Sequence, residues 1–275
     1  MGRTVAVVLS LYIMLPSVFL PSSLAQSLQH RLEVTPYFDL KGYSWKEFSD
    51  KGSEDLKESG MLLSLGALPR FAFTKDFRFF AQGDFQFYFG NVNYDGYVQD
   101  AQGNREPFTT EVGYFGLEIA LSSGYSFPIS SAFELAPRGG FGIEYWSRDI
   151  GRGQVKAGYI EKYWVVLGDL ALEGRYTLNR DVRLFTTISM RIPVSISESV
   201  DLSAANPAYP SDISLSPGKN PRFVFKIGGT FYNAFAELYF VTWTLSRSAE
   251  DRGFLQPEST RQNYGMRVGY TFGLF

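Results

Sequence analysis

The chain contains no cysteine and a single histidine among its 275 residues. The lack of cysteine excludes disulfide scaffolds, thiolate metal sites and lipid attachment through an amino-terminal cysteine. Neither sign of charge dominates, since 26 Lys and Arg face 28 Asp and Glu. This balance argues against nucleic-acid binding, which needs clustered basic side chains to neutralise phosphates. A mean hydropathy of −0.10 excludes a polytopic helical membrane protein.

Only the start of the chain carries a long apolar run. A basic first segment is followed by apolar residues over 5–20 and by small residues up to Ala25. This order predicts a secretory signal peptide over 1–25, cleaved after Ala25. An uncleaved anchor is the alternative, since a run of about 20 apolar residues can span a bilayer. Pro16 and Pro21 interrupt the run and favour the signal peptide.

The rest of the chain, 26–275, alternates apolar and polar residues with a period of two. Over 77–89, Phe85 and its neighbours two positions away lie on one face, and Gln86 lies on the other. The same alternation recurs over 32–41 and 182–194. Together with noisier segments, the pattern predicts ten strands: 32–41, 61–73, 77–89, 111–121, 132–146, 159–176, 182–194, 221–231, 234–245 and 264–274.

The predicted connections alternate between long and short. The 42–60 and 90–110 connections are long, for example, whereas 74–76 and 232–233 are turns. In an antiparallel meander every second connection lies at the same end, so the long loops gather on one side. This asymmetry is typical of membrane barrels. We therefore predict an all-β fold, an antiparallel up-and-down transmembrane β-barrel of about ten strands.

The direction of the apolar face distinguishes two kinds of barrel. A soluble secreted binding barrel, the alternative fold, buries its apolar face inside. Ten strands enclose a tube about 20 Å wide, too narrow for all the apolar side chains, so we predict that they face lipid. Aromatic residues near the strand ends are expected to form interfacial girdles, with packing beneath the loops as the alternative: Tyr43, Trp45, Tyr145, Trp146, Tyr163, Trp164 and Trp243.

The polar face then lines the lumen. Buried charges persist only when paired and hydrogen-bonded, and long arginine side chains reach far across a narrow tube. We therefore expect an ion-pair network that plugs the lumen, with a narrow porin-like channel for ions or small solutes as the alternative. The predicted network joins nine acidic residues, Glu33, Asp39, Asp84, Glu118, Glu134, Glu144, Asp169, Glu173 and Glu237, to nine basic ones, Arg70, Arg78, Arg138, Arg175, Arg183, Arg191, Arg222, Lys226 and Arg267.

The carboxyl end carries a short motif. A polar residue, Arg267, precedes Gly269, and Phe272 and Leu274 follow at alternate positions before the final Phe275. With this ending the chain resembles small outer-membrane β-barrels of Gram-negative bacteria, the OmpA-like and opacity-type class. In that family the last residue is usually an aromatic on the lipid face; here Leu274 occupies that position. The resemblance implies the outer membrane as location and lipid and the outer-membrane assembly machinery as partners.

Catalytic chemistry is poorly represented. Barrel hydrolases of similar size use a histidine as general base, and His30, the only one, lies five residues after the predicted cleavage site. We therefore expect no enzyme, no catalytic residue, no cofactor and no metal site, with a hydrolase that uses carboxylates or lysine alone as the alternative. The expected role is structural, as part of the cell envelope, or interaction through the long loops with an extracellular ligand whose identity the sequence leaves open.

Overall fold

The computed structural model describes residues 32–74, 78–99, 105–151, 158–203 and 213–274. The predicted signal peptide, its cleavage site, His30, Phe77 and Phe275 lie outside these residues. Among the described residues no helix is long and apolar enough to cross a membrane. All the elements found are strands: β1 (Leu32–Phe48), β2 (Glu54–Ala72), β3 (Phe79–Gln99), β4 (Arg105–Tyr125), β5 (Phe127–Pro128), β6 (Phe133–Ile150), β7 (Tyr159–Thr177), β8 (Val182–Asp201), β9 (Ile213–Leu215), β10 (Arg222–Phe231), β11 (Ala234–Leu245), β12 (Glu258–Tyr270) and β13 (Phe272–Gly273).

Ten of these strands form one closed barrel. Each long strand pairs antiparallel with the next along the chain, and the barrel closes where β12 pairs with β1. The short strands lie beside this circle: β5 pairs with β6, β9 with β8 and β13 with β1. The predicted all-β fold, the up-and-down order and the strand number are confirmed.

A belt of outward-facing apolar side chains surrounds the barrel. On β3, Phe85, Phe87 and Phe89 are 37–42% exposed, whereas Gln86 and Tyr88 between them are buried in the lumen. Because the exposed residues continue around all ten long strands, we call them the apolar band. Toward the end of the barrel with the long connections, the band stops at Met61, Phe89, Phe115, Tyr145, Trp164 and Val194.

Beyond the band the alternation inverts. On β3, Asn91, Asn93 and Asp95 point outward, and Val92 and Tyr94 are buried inside. A wall in contact with water needs polar side chains outside and can bury apolar ones within. The strands therefore continue past the lipid-facing part, and we call this end the outer end and the opposite one the inner end.

Because of this inversion, several strands are longer than predicted. The first strand was expected over 32–41, but β1 continues to Phe48, and β2 begins at Glu54 rather than at residue 61. The expected loop at 196–220 contributes the end of β8 and all of β9. The prediction assumed that the outward face of each strand is apolar along its whole length, but this is true only within the apolar band.

The inversion also overturns most of the predicted aromatic girdle. Tyr145 and Trp164 do face outward, and their rings lie 4.8 Å apart. The other five lie inside the outer end, because a water-exposed wall has its apolar side within. These five form the outer aromatic core: Tyr43, Trp45, Trp146, Tyr163 and Trp243, each at most 2% exposed.

Candidate functional site: the barrel lumen

The inner end of the lumen is an open cavity. Its volume is about 390 Å³, and it extends from Glu33 and Thr271 near the short turns to Asp84 and Lys226. We call this cavity the inner vestibule. It lies within the size range of small-molecule sites, about 300–1,000 Å³.

At the deep end of the vestibule, Asp84 and Glu237 belong to the first of several polar layers. Asp84 accepts hydrogen bonds from the hydroxyl of Tyr37 at 2.8 Å and from Nη1 of Arg267 at 2.9 Å. The same Arg267 atom lies 3.3 Å from Glu237, and Nζ of Lys226 lies 3.4 Å from Asp84. Donors from three strands, β1, β10 and β12, therefore meet on the carboxylate of Asp84.

A second layer continues from Asp39. Its carboxylate accepts a hydrogen bond from Nε2 of Gln86 at 2.7 Å and from the hydroxyl of Tyr239 at 3.0 Å. Gln86 in turn accepts one from Nζ of Lys41 at 2.8 Å. Asp39, Gln86 and Lys41 are each at most 3% exposed. Buried groups with hydrogen-bond partners avoid the cost of an unpaired polar atom.

The third layer is centred on Glu144. Its carboxylate lies 2.8 Å from a guanidinium nitrogen of Arg222 and 2.8 Å from one of Arg261. The carboxylate is fully buried and the two arginines are 2% exposed. The Arg261 guanidinium also lies 4.6 Å from the centre of the Trp146 ring, so the ionic layer joins the outer aromatic core directly.

The outer end holds a cluster with excess acid. Arg148 lies 3.3 Å from Glu47, 2.6 Å from Glu58 and 2.5 Å from Glu161. Glu198 belongs to the same neighbourhood, where its buried carboxylate lies near Glu161, Arg148 and the hydroxyl of Tyr163. We call these five residues the outer acidic cluster. It has four carboxyl groups for one guanidinium.

Burial sets the ionisation of this cluster, which lies beyond the apolar band. Removal from water raises the pKa of Glu161 from 4.5 to about 7, although the nearby Arg148 opposes the rise. Burial raises the pKa of Glu198 as well, and the negative charge of Glu161 adds to the effect. Glu161 and Glu198 therefore keep their protons to a higher pH than an exposed glutamate does.

Replacing Glu161 by glutamine should change how stability depends on pH. The raised pKa means that the folded state binds this proton more tightly than the unfolded state. The corresponding stabilisation is complete below about pH 4.5 and is lost as the pH rises through about 7. The free energy of unfolding of Glu161→Gln, measured in urea at pH 5 and pH 8, should improve relative to the native chain at the higher pH.

The matched control is Glu54→Gln, which alters an exposed carboxylate. Its stability relative to the native chain should be the same at both pH values. If the free energies of unfolding of the native chain and of Glu161→Gln changed with pH in the same way, the raised pKa of Glu161 would be contradicted.

The structure places the predicted lumen residues as follows. Ion pairs join Glu33 with Arg183, Asp39 and Glu237 with Arg267, Glu118 and Asp169 with Arg191, and Glu173 with Arg70, Arg138 and Arg175, besides those at Asp84 and Glu144. Glu134 accepts a hydrogen bond from the hydroxyl of Ser126 at 2.6 Å. Arg78 is exposed just before β3 and lines the vestibule.

The carboxyl-terminal motif is divided between two strands. Arg267 points into the lumen, and Gly269 lies two positions further along β12. Phe272 lies on β13 and is 48% exposed, and Leu274 follows it at 52%. Both therefore continue the outward face.

Sequence reasoning missed part of the lumen. Glu58, Arg148, Glu161 and Glu198 fell in segments read as loops or strand ends, although each has the inward position once its strand is extended. Arg261 was missed for the same reason, because the last strand was started at residue 264 rather than at Glu258. A test for inverted alternation beyond the band would have found them.

Among the described residues, no group of three or more histidine, aspartate or glutamate side chains is arranged to hold a metal ion.

The chain matches no protein-family model and none of the curated protein sequences. Among solved structures it is similar to the outer membrane protease OmpT of Escherichia coli. The two share 9% sequence identity and a TM-score of 0.57, over 90% of this chain and 100% of the other. The chain has the fold of a small Gram-negative outer-membrane β-barrel. At this identity the similarity concerns the fold alone.

Two further structures are similar at lower scores. The translocator domain of the autotransporter NalP from Neisseria meningitidis has a TM-score of 0.41 and 12% identity, covering 90% of this chain and 91% of the other. Ail, the attachment invasion locus protein of Yersinia pestis, has a TM-score of 0.32 and 9% identity, covering 89% and 100%.

Proposed function

We propose that the protein is an integral, non-catalytic barrel of the bacterial outer membrane with a closed lumen. Its outer end binds an extracellular ligand, or the whole barrel serves as a rigid structural element of the cell envelope. Export by the signal peptide over 1–25, cleaved after Ala25, and insertion by the outer-membrane assembly machinery belong to the same proposal.

The main support for a closed lumen is the stack of polar layers that begins at the deep end of the vestibule. The networks at Asp84, Asp39 and Glu144 follow one another, and the outer aromatic core lies above them. At that core the Trp146 and Tyr163 rings are stacked with centroids 4.4 Å apart. Buried ion pairs capped by fully buried aromatic rings support a lumen without a continuous water path.

The absence of catalysis is proposed on the basis of histidine content. OmpT is an outer membrane protease, but a shared fold does not imply a shared reaction. The single histidine of this chain, His30, precedes the first strand. Peptide and lipid hydrolysis assays on the purified folded barrel should give the rate of the protein-free control, and a saturable rate above it would contradict the proposal.

A narrow porin-like channel is the second candidate, because the inner vestibule already opens at one end. Planar-bilayer recording separates the two. The native barrel should show no stable open state, since ions would have to pass all three charged layers and the aromatic core. Discrete, long-lived conductance steps from the native chain would favour the channel.

A variant provides the positive control for this recording. Trp146 and Trp243 lie edge to face in the outer core with ring centroids 6.2 Å apart. Replacing both by alanine removes two of the three tryptophans of that core and should raise the conductance above that of the native barrel. The same double replacement at Tyr145 and Trp164, on the outside of the wall, should leave the conductance unchanged.

A further inference from the structure

The mouth of the inner vestibule has an excess of positive charge. Among the described residues that line it, the group nearest the short turns has five arginines and three glutamates, a formal charge of +2. The charged residues deeper in the vestibule sum to −1, from three acids and two bases, and Arg267 contacts two of those acids. These deeper acids therefore have bases of their own, and without Arg78 the group near the mouth still has four arginines for three glutamates.

Three of the arginines share one carboxylate. Nη1 of Arg138 donates to Glu173 at 2.7 Å, and Nε of Arg175 donates to its other oxygen at 2.5 Å. Arg70 lies 3.9 Å away on that second oxygen, too far for a hydrogen bond. Arg70 also donates to Oε1 of Gln82 at 3.4 Å, and Nε of Arg138 is buried without a hydrogen-bond partner among the described residues. All three arginines line the cavity, and one carboxylate carries less charge than their guanidiniums together.

A buried aromatic ring positions two of these guanidiniums. The guanidinium carbon of Arg70 lies 3.6 Å from the centre of the Phe80 ring, and that of Arg175 lies 5.3 Å from it. Phe80 is fully buried. Cation–π stacking restricts the planes of both groups before any ligand arrives, which lowers the entropic cost of binding.

Access to this group is graded. The side chains of Arg70 and Arg175 are 22% exposed, and that of Arg138, further inside, is 9% exposed. Arg183, 41% exposed, lies near the entrance. Solvent exposure therefore decreases from Arg183 at the entrance to Arg138 further inside. Charge-assisted hydrogen bonds are stronger where the site is less solvated.

We propose that the inner vestibule binds a tetrahedral dianion, a phosphate or sulfate, either free or as the terminal group of a small soluble ligand. The dianion contacts Arg70, Arg138 and Arg175 beside Glu173. Arginine forks match the oxygen geometry of such groups. Membrane phospholipids are not the source of this group, because the site lies in the lumen, enclosed by the barrel wall. The proposal does not depend on whether the lumen above is closed.

Calorimetric titration tests this binding. The folded full-length barrel in nonionic detergent is titrated with inorganic phosphate, with chloride at matched ionic strength as reference. We expect saturable binding of phosphate. Arg175→Gln should weaken it about tenfold or more, because a charged hydrogen-bond partner is lost. The same titration with glycerol 3-phosphate shows whether a free anion or a phosphate monoester binds more tightly, and either order supports the site.

Two further variants separate a binding role from a structural one. Glu173→Gln removes the competing carboxylate and should strengthen phosphate binding several-fold, which a loss of structure would not do. Arg247→Gln alters an exposed arginine that pairs with Asp50 on the outer surface and should leave the affinity unchanged. Heat-modifiable gel mobility confirms that each variant is folded. Absence of saturable phosphate binding, or equal affinities for Arg175→Gln and Arg247→Gln, would overturn the proposal.

Discussion

Replacing Phe85 by arginine is expected to destabilise the folded barrel in a lipid bilayer by about 2–4 kcal/mol, the cost of an arginine at mid-bilayer depth on the lipid face of a barrel. Phe85 points outward near the middle of the apolar band on β3 and is 38% exposed. The charged group would have to leave the hydrocarbon region or draw water into it. The free energy of unfolding from lipid vesicles, measured by urea titration, checks the value.

The matched control lies on the same strand and the same face. Asn93 points outward beyond the band, so Asn93→Arg should change the stability by less than about 0.5 kcal/mol, as at ordinary surface sites. Alternation alone would suggest Gln86→Arg as the mild partner. Gln86 is a poor control, however, because it bonds Lys41 and Asp39 in the buried second layer. Equal losses at residues 85 and 93 would contradict the position of the band.

Removal of the guanidinium from the outer acidic cluster is expected to have an effect of similar or greater size. Arg148→Met leaves Glu47, Glu58 and Glu161 without their shared cation. Breaking a buried ion pair from one side typically costs about 3–5 kcal/mol, because the remaining charge is uncompensated. The loss, measured by urea unfolding at pH 8, should shrink at pH 5, where the carboxyl groups can be protonated.

Two comparisons make this prediction specific. In the double variant Arg148→Met with Glu58→Gln, part of the stability should return, since one uncompensated charge is removed as well. Lys46→Met breaks the exposed pair with Glu54, whose side chains are 38% and 39% exposed, and should cost at most about 1 kcal/mol. A loss for Arg148→Met no larger than that for Lys46→Met would show that the cluster does not support the outer end.

The sequence predicts the barrel well because the lipid-facing part obeys a simple rule. Within the band every second residue must be apolar, so the alternation around Phe85 defines both the strand and its outward face. The outer end does not obey this rule. There the polarity inverts, and residues such as Trp45 and Tyr163, which resemble interfacial aromatics in sequence, lie fully buried in the lumen.

The partners within the lumen were less accessible to sequence reasoning. Inward charges such as Glu144 can be identified from alternation, but its contacts with Arg222 on β10 and Arg261 on β12 depend on how strands distant in sequence lie across the closed barrel. Local patterns contain neither the strand register nor the side-chain reach that decides these contacts.

The barrel wall faces lipid on the outside of its middle part and water on the outside beyond the apolar band, and it encloses a charged lumen. Because the chain has no cysteine, single cysteines at Phe87, Asn93 and Gln82 can be spin-labelled without background. Power-saturation spectroscopy in vesicles then measures access of oxygen, which concentrates in lipid, and of a water-soluble nickel complex. We expect oxygen access at residue 87 and nickel access at residue 93 and, through the inner vestibule, at residue 82. Nickel access at residue 87 together with oxygen access at residue 82 would contradict this arrangement.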